Sequence, residues 1–215
     1  MPSYTQINEK LVEVTLNNEE VFAKRGAMIS YQGKVNFARS FLGGGDVQDL
    51  AMRAVTNEGY TLMVARGTGK VYYGYNNLFA SIIHASNETI YVESKTLLAY
   101  DARLRTGTMF LGNQGGVQSI LRGAVTGQGL FTTTLQGTGE IAILSDGNAI
   151  GLPVTNEQPV FVDPNAYIGH KGNLSSTIVT DVNWKTFVGQ ASGESYQVKF
   201  MGQGTVYIQA SERQS

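Results

Sequence analysis

Residues 66–73 read RGTGKVYY. The same pattern, two glycines around one residue followed by a β-rich run, occurs twice more, as QGTGEIAI at 136–143 and MGQGTVYI at 201–208. The first glycines of successive copies lie 70 and then 65 residues apart. Spacing this regular indicates an internal repeat, which constrains the architecture of the chain more than its activity.

A second motif recurs in nearly the same register. Its members are aromatic residues within β-forming runs, and they are Phe22, Tyr91 and Phe161. Their spacings are 69 and 70 residues. Two motifs that share one period predict a single compact domain over 1–215, made of three modules at approximately 7–74, 75–144 and 145–210.

Most segments between these motifs have the composition of strands. Residues 11–16 alternate, with Val12, Val14 and Leu16 on one face. Asparagine-containing pairs at 17–18, 86–87 and 156–157 then predict turns, because asparagine tolerates the left-handed conformation. Each module is therefore expected to contain a strand–turn–strand unit.

The glycine pairs are predicted to be structural turns. They are Gly67 and Gly69, Gly137 and Gly139, and Gly202 and Gly204. Two glycines around one residue indicate a tight hairpin or a glycine bulge with positive φ. A phosphate-binding loop would need a helix after the glycines, whereas a strand is predicted after each pair. No cofactor site is predicted here.

Two short helices are predicted in the first two modules. Apolar residues follow a helical spacing of i, i+3, i+4 and i+7 at Val47, Leu50, Ala51 and Ala54, and again at Val117, Ile120, Leu121 and Ala124. The predicted fold is therefore all-β, with two short helices. Its three pseudo-repeated β-sandwich or double-stranded β-helix-like modules are expected to surround a pseudo-threefold axis.

The inventory of reactive side chains disfavours an enzyme. The chain has no cysteine and two histidines, too few for a histidine-rich metal site, and it lacks a Gly-x-Ser-x-Gly motif. His170 lies nine residues after Phe161, as Tyr100 follows Tyr91 and Tyr31 follows Phe22. His170 is therefore predicted to pack in an aromatic position or to make a single hydrogen bond. A hydrolase with a dispersed serine-based site is a third, less favoured reading.

Net charge and hydropathy limit the classes of partner and the cellular locations that are expected for the chain. The net charge is −1 and is spread evenly, so no basic stripe favours nucleic acid. No signal peptide or long apolar run is evident, so a cytoplasmic protein without a transmembrane segment is expected.

The densest aromatic cluster consists of Tyr72, Tyr73, Tyr75 and Phe79. It is either a partner surface, on which bases or an apolar protein would stack, or a strand with aromatic residues on both faces, one facing inward and one partly covered by a neighbouring chain.

Three ordered motifs resemble the altered-inheritance-of-mitochondria twenty-four family. They are GQGLFTTT at 127–134 before Gly137, FVDPN at 161–165, and the closing SGE at 192–194 with GQGTVYIQ at 202–209. The chain departs from the family pattern at Gln128, Ser195 and Tyr207, where the family has Glu, Gly and Trp.

The resemblance implies an all-β fold related to the tryptophan-RNA-binding attenuation protein, triplicated within one chain, and it identifies no catalytic residues. Mitochondrial members are linked to inner-membrane organisation, whereas bacterial members mostly lack an assigned activity. Without a transit peptide, a bacterial-type member is expected. The leading hypothesis is a non-enzymatic β scaffold or binding module that recognises a macromolecular partner and self-associates. The alternative is an RNA- or nucleotide-binding protein that uses crevices between its modules.

Overall fold

The computed structural model describes residues 1–40, 62–111, 130–179 and 197–212. These residues are almost entirely β-strand, and the one helical element is a 3₁₀ turn at Ser94–Thr96. The strands are β1 (Ser3–Asn8), β2 (Leu11–Lys24), β3 (Met28–Ser40), β4 (Leu62–Tyr73), β5 (Phe79–Glu93), β6 (Leu97–Asp101), β7 (Arg105–Leu111), β8 (Leu130–Ser145), β9 (Ile150–Val154), β10 (Val160–Val162), β11 (Tyr167–Val179) and β12 (Gln197–Ile208).

The all-β prediction is confirmed, whereas the two helices predicted at 47–54 and 117–124 lie outside the described residues. No helix in the described ranges has the length and apolarity needed to cross a membrane.

The twelve strands of the described residues belong to one antiparallel sheet. Along the sheet the order is β10–β12–β11–β5–β8–β6–β2–β4–β3, with β1 on β2, β7 on β8 and β9 on β12. This order has two ends, β10 and β3, which do not pair with each other within the described part of the chain. The pseudo-threefold axis and the division into three modules therefore stay predictions.

Two of the expected turns are instead irregularities inside long strands. β2 continues through Asn18 and β5 through Asn87, where the pairing register shifts. Both asparagines have the left-handed backbone that their composition favours, with φ of 57° and 53°. Their N–H groups donate to the Oγ1 atoms of Thr68 and Thr138, each over 3.0 Å. At the third position, residues 156–157, no strand continues, because β9 ends at Val154 and β10 begins at Val160.

The glycine pairs also lie inside strands, in β4, β8 and β12, rather than between strands. At the first and third pairs the physical reason is the close approach of a neighbouring strand. At Gly67 a Cβ would lie 2.1 Å from the carbonyl oxygen of Lys34, and at Gly202 it would lie 2.2 Å from that of Asn173. Both glycines have positive φ, 140° and 122°. A side chain at either position would push the sheet apart.

The core forms three apolar clusters along the sheet. The first lies on β2 and β4, around Val14 and Val71, and includes Leu98 of β6. The second lies on β5 and β8 and includes Ile168 of β11. The third lies largely on β11 and β12, around Phe200. Leu98 and Ile168 thus add side chains from strands later in the chain to the first and second clusters.

Candidate interaction surface

Two strand pairings join repeat-related segments. In the first, β2 pairs with β6 so that Phe22 faces Tyr100. In the second, β5 pairs with β11 so that Tyr91 faces His170. The rings of each pair are stacked, with centroids 5.3 Å apart in the first pair and 4.3 Å in the second. The nine-residue aromatic spacing in the sequence therefore reflects a stacked cross-strand contact that occurs twice.

The strands that supply the second ring of each pair share a bulge. One extra residue interrupts the register of β6 against β8 and of β11 against β12, and these residues are Leu98 and Ile168. Their exposed fractions are 0% and 1%. Leu98 lies in the first apolar cluster and Ile168 in the second. Each bulge thus directs an aliphatic side chain into the core of the segment that precedes it.

The corresponding segment of β3 is open to solvent. We call Met28 to Gln32 the β3 edge. It has the same bulge against β4, with Ile29 as the extra residue. Ile29 is 62% exposed and Tyr31 is 49% exposed. Within the described residues β3 pairs with β4 alone, so its other side presents unpaired backbone groups.

The other end of the sheet is the β10 edge, Val160–Val162. Within the same described ranges β10 pairs only with β12. Phe161 is 50% exposed, and the ammonium of Lys199 lies 5.6 Å from its ring centroid. Phe22, at the equivalent sequence position, is buried beneath its stacked partner. Phe161 on the β10 edge and Tyr31 on the β3 edge are therefore the two repeat-related aromatic residues that take part in neither of the internal pairings.

The aromatic cluster predicted as a partner surface is divided by the fold. Tyr73 is 2% exposed and belongs to the first apolar cluster, and burial raises the pKa of its phenol. Tyr72, Tyr75 and Phe79 are half-buried. The ammonium of Lys24 lies 5.2 Å from the ring centroid of Tyr75, and that of Lys10 lies 5.2 Å from the ring centroid of Phe79. Tyr73 therefore cannot contribute to a stacking platform, and the other three contribute only part of their rings.

The side chains of both histidines lie beside a hydrogen-bonding or charged partner, Tyr167 for His170 and Glu140 for His84. His170 is buried, and its Nδ1 lies 2.7 Å from the hydroxyl oxygen of Tyr167. Burial lowers the pKa of His170 to about 4, so the ring is neutral near pH 7. Packing and a hydrogen bond, as predicted, account for this residue. His84 is exposed beside Glu140. In the part of the chain that the structure describes, no three His, Asp or Glu side chains converge on a metal site.

One crevice tests the nucleotide-binding alternative. It has a volume of about 460 Å³ and lies between the 3₁₀ turn, the end of β8 and the segment after β12. Its charged lining consists of Lys95, Asp146 and Glu212. Two carboxylates against one ammonium give no positive surface for a phosphate.

Sequence reasoning did not identify Ile29 as a functional candidate. The available signal was its position, since Ile29, Leu98 and Ile168 each lie two residues before an aromatic residue of the nine-residue spacing. Without the pairings, that spacing could not show which of the three side chains is buried.

Known proteins resemble the chain over nearly its full length. The model of the family described as "Mitochondrial biogenesis AIM24" matches residues 4–211. The crystal structure of protein SPYM3_0169 from Streptococcus pyogenes superposes with a TM-score of 0.69 and 20% sequence identity. The match covers 99% of this chain and 94% of that protein, and at this identity it shows a shared fold alone. No curated protein gave a significant match.

Proposed function

Because the chain belongs to the mitochondrial biogenesis AIM24 family, and because the sheet formed by the described residues ends in two strands that each pair on one side only, we propose that it is a non-enzymatic β scaffold. In this proposal the scaffold self-associates and recognises a macromolecular partner through those edges. It is built from three related modules, each joined to the next by one aromatic strand pairing.

The observation that carries the proposal is the exposure of apolar residues on edge strands, which pair on one side only within the described residues. Ile29, Tyr31 and Phe161 are each about half exposed or more, whereas the repeat equivalents Leu98, Tyr100 and Phe22 are buried. Unpaired strand edges are ready templates for a further strand, and natural proteins usually cover or charge them. An edge that instead presents apolar side chains is typical of an interaction surface.

The environment of the histidines supports a scaffold over a hydrolase. His170 is buried, stacked on Tyr91 and hydrogen-bonded to a tyrosine. Neither histidine is hydrogen-bonded to a serine within the described residues. A serine-directed fluorophosphonate probe is therefore expected not to label the protein, and labelling of one serine would contradict the non-enzymatic part of the proposal.

Self-association is tested by light scattering coupled to size-exclusion chromatography over a wide range of concentrations. We expect masses that are multiples of 23.2 kDa and that rise with concentration. A mass of 23.2 kDa at every concentration would contradict self-association. Fluorescence anisotropy with mixed RNA at low salt tests the alternative function, and we expect no binding because the charge is flat.

A further inference from the structure

We infer that the β10 edge of one copy pairs head-to-tail with the β3 edge of a second copy, with Phe161 opposite Tyr31 and Ile29 inserted into the third apolar cluster of the other copy. This inference rests on the proposed function, since it specifies how the scaffold self-associates. Its elements are the register, the bulge residue and the direction of assembly.

The register follows from the two pairings inside the chain. Phe22 faces Tyr100, and Tyr91 faces His170. Phe22, Tyr91 and Phe161 form one set of repeat equivalents, and Tyr31, Tyr100 and His170, each nine residues later, form a second set. In both pairings a residue of the first set faces the second-set residue of the next repeat. Phe161 has no later repeat in the chain, so the series continues with Tyr31, the second-set residue of the first repeat.

The bulge residue supplies the second element. Leu98 fills the first apolar cluster and Ile168 the second, each from the strand that pairs with that segment. The third cluster contains no bulge residue of a pairing strand within the described residues. Ile29 is the repeat equivalent of these two bulge residues and is 62% exposed. The exposed side chain of Ile29 and the third apolar cluster are thus complementary, because Leu98 and Ile168 occupy the equivalent places in the first two clusters.

The direction of assembly follows from the kinds of strand that meet. In each internal pairing, β2 or β5 pairs with a strand that has a bulge two residues before its aromatic residue, namely β6 or β11. The β10 edge is the repeat equivalent of β2 and β5, and the β3 edge, with its bulge at Ile29, is the equivalent of β6 and β11. Pairing two β3 edges or two β10 edges would join equivalent segments, which neither internal pairing does. The predicted contact is heterologous, and its repetition closes a ring or extends a chain of copies.

Engineered cysteines test the contact directly, because the chain has none of its own. Facing residues of an antiparallel pair have Cα atoms ~4.5–5.5 Å apart, which suits a disulfide. We expect Phe161→Cys and Tyr31→Cys chains, mixed and oxidised mildly, to form a covalent heterodimer. Each variant alone should not cross-link. Ile7→Cys, an exposed residue of β1, is the matched control and should not cross-link with Phe161→Cys.

Each outcome has a defined meaning. If a chain carrying both Phe161→Cys and Tyr31→Cys forms its disulfide within one 23.2 kDa molecule, the edges close on themselves and the inference is overturned. Disulfide dimers of Phe161→Cys alone would overturn the heterologous direction. A wild-type oligomer without the mixed cross-link would overturn this inference but leave the scaffold standing. A protein that stays monomeric would overturn both this inference and the self-association in the proposed function.

A second variant tests the contact without cysteine chemistry. Ile29→Asp should raise the dissociation constant of the oligomer about 30-fold, because a charge would enter an apolar contact at its centre. Its melting temperature, measured on dilute monomer, should match that of the wild type. Ile7→Asp should leave the dissociation constant unchanged. Equal dissociation constants for Ile29→Asp and wild type would overturn the inference.

Discussion

The β3 edge and strand β6 show how one local design leads to opposite burial. Tyr31 faces Val71 across β4, and Tyr100 faces Ile141 across β8, each after a one-residue bulge. All five residues of β6 are buried, whereas residues 29–32 of the β3 edge are exposed. The difference is that β2 covers the other side of β6 and no described strand covers β3. Strand and bulge are thus local properties, while burial depends on a neighbour.

The largest expected contrast is between the two tyrosines. Tyr100→Ala should lower the free energy of unfolding by about 4 kcal/mol, because it empties a fully buried site stacked on Phe22. Tyr31→Ala should cost about 1 kcal/mol or less in dilute monomer, since the ring is half exposed and contacts Phe37 edge-on. Urea unfolding measures both. Equal losses would mean that Tyr31 is buried in the single chain.

The bulge residues give a slightly smaller contrast. Leu98→Ala should lower the free energy of unfolding by about 3 kcal/mol, because it leaves a cavity in the first apolar cluster. Ile29→Ala should change it by no more than about 0.5 kcal/mol in the monomer. Thermal or urea unfolding at low concentration compares them. A large loss for Ile29→Ala would contradict the distinction between the two segments.

The paired β5–β11 contact should also depend on pH. His170 has a folded-state pKa of about 4, below the ordinary value of ~6.5, so the unfolded chain takes up this proton first as the pH falls. The associated stability is complete above about pH 6.5 and is lost progressively towards pH 4, by up to about 3 kcal/mol. Urea unfolding of the monomer as a function of pH measures the loss.

His170→Tyr provides the comparison, because it places at the β5–β11 contact the residue that the β2–β6 contact already has. The slope of stability against pH between 6.5 and 4 should flatten in this variant. An unchanged slope in His170→Tyr would show that other groups cause the pH dependence.

The smallest expected effect tests whether the first two segments are alike away from their edges. Thr68→Ala and Thr138→Ala each remove a hydroxyl that accepts from a left-handed asparagine on the facing strand. Each should lower the free energy of unfolding by about 1 kcal/mol or less, and by similar amounts. Clearly unequal losses would show that the similarity of the two strand pairs does not extend to their energetics.

Sequence reasoning predicted the class of fold and much of the local detail, but it placed several features on the wrong kind of element. Asparagine at 18 and 87 correctly indicated left-handed backbone, yet both residues lie inside continuous strands. The glycine pairs suggested turns, whereas Gly67 and Gly202 are required because a neighbouring carbonyl oxygen approaches their Cα atoms. Such approach depends on strands distant in the chain, which no local pattern specifies.

The candidate surface shows the same division. The amino-acid sequence alone predicts that the chain is β-rich, that its motifs recur about every 70 residues, and that aromatic residues follow one another at nine-residue spacing, because side-chain chemistry and backbone preference act locally. The fold then buries and stacks Tyr100 and His170 and leaves Tyr31 and Phe161 exposed. Burial depends on the strand order, and the first and last strands of that order pair on one side only within the described residues.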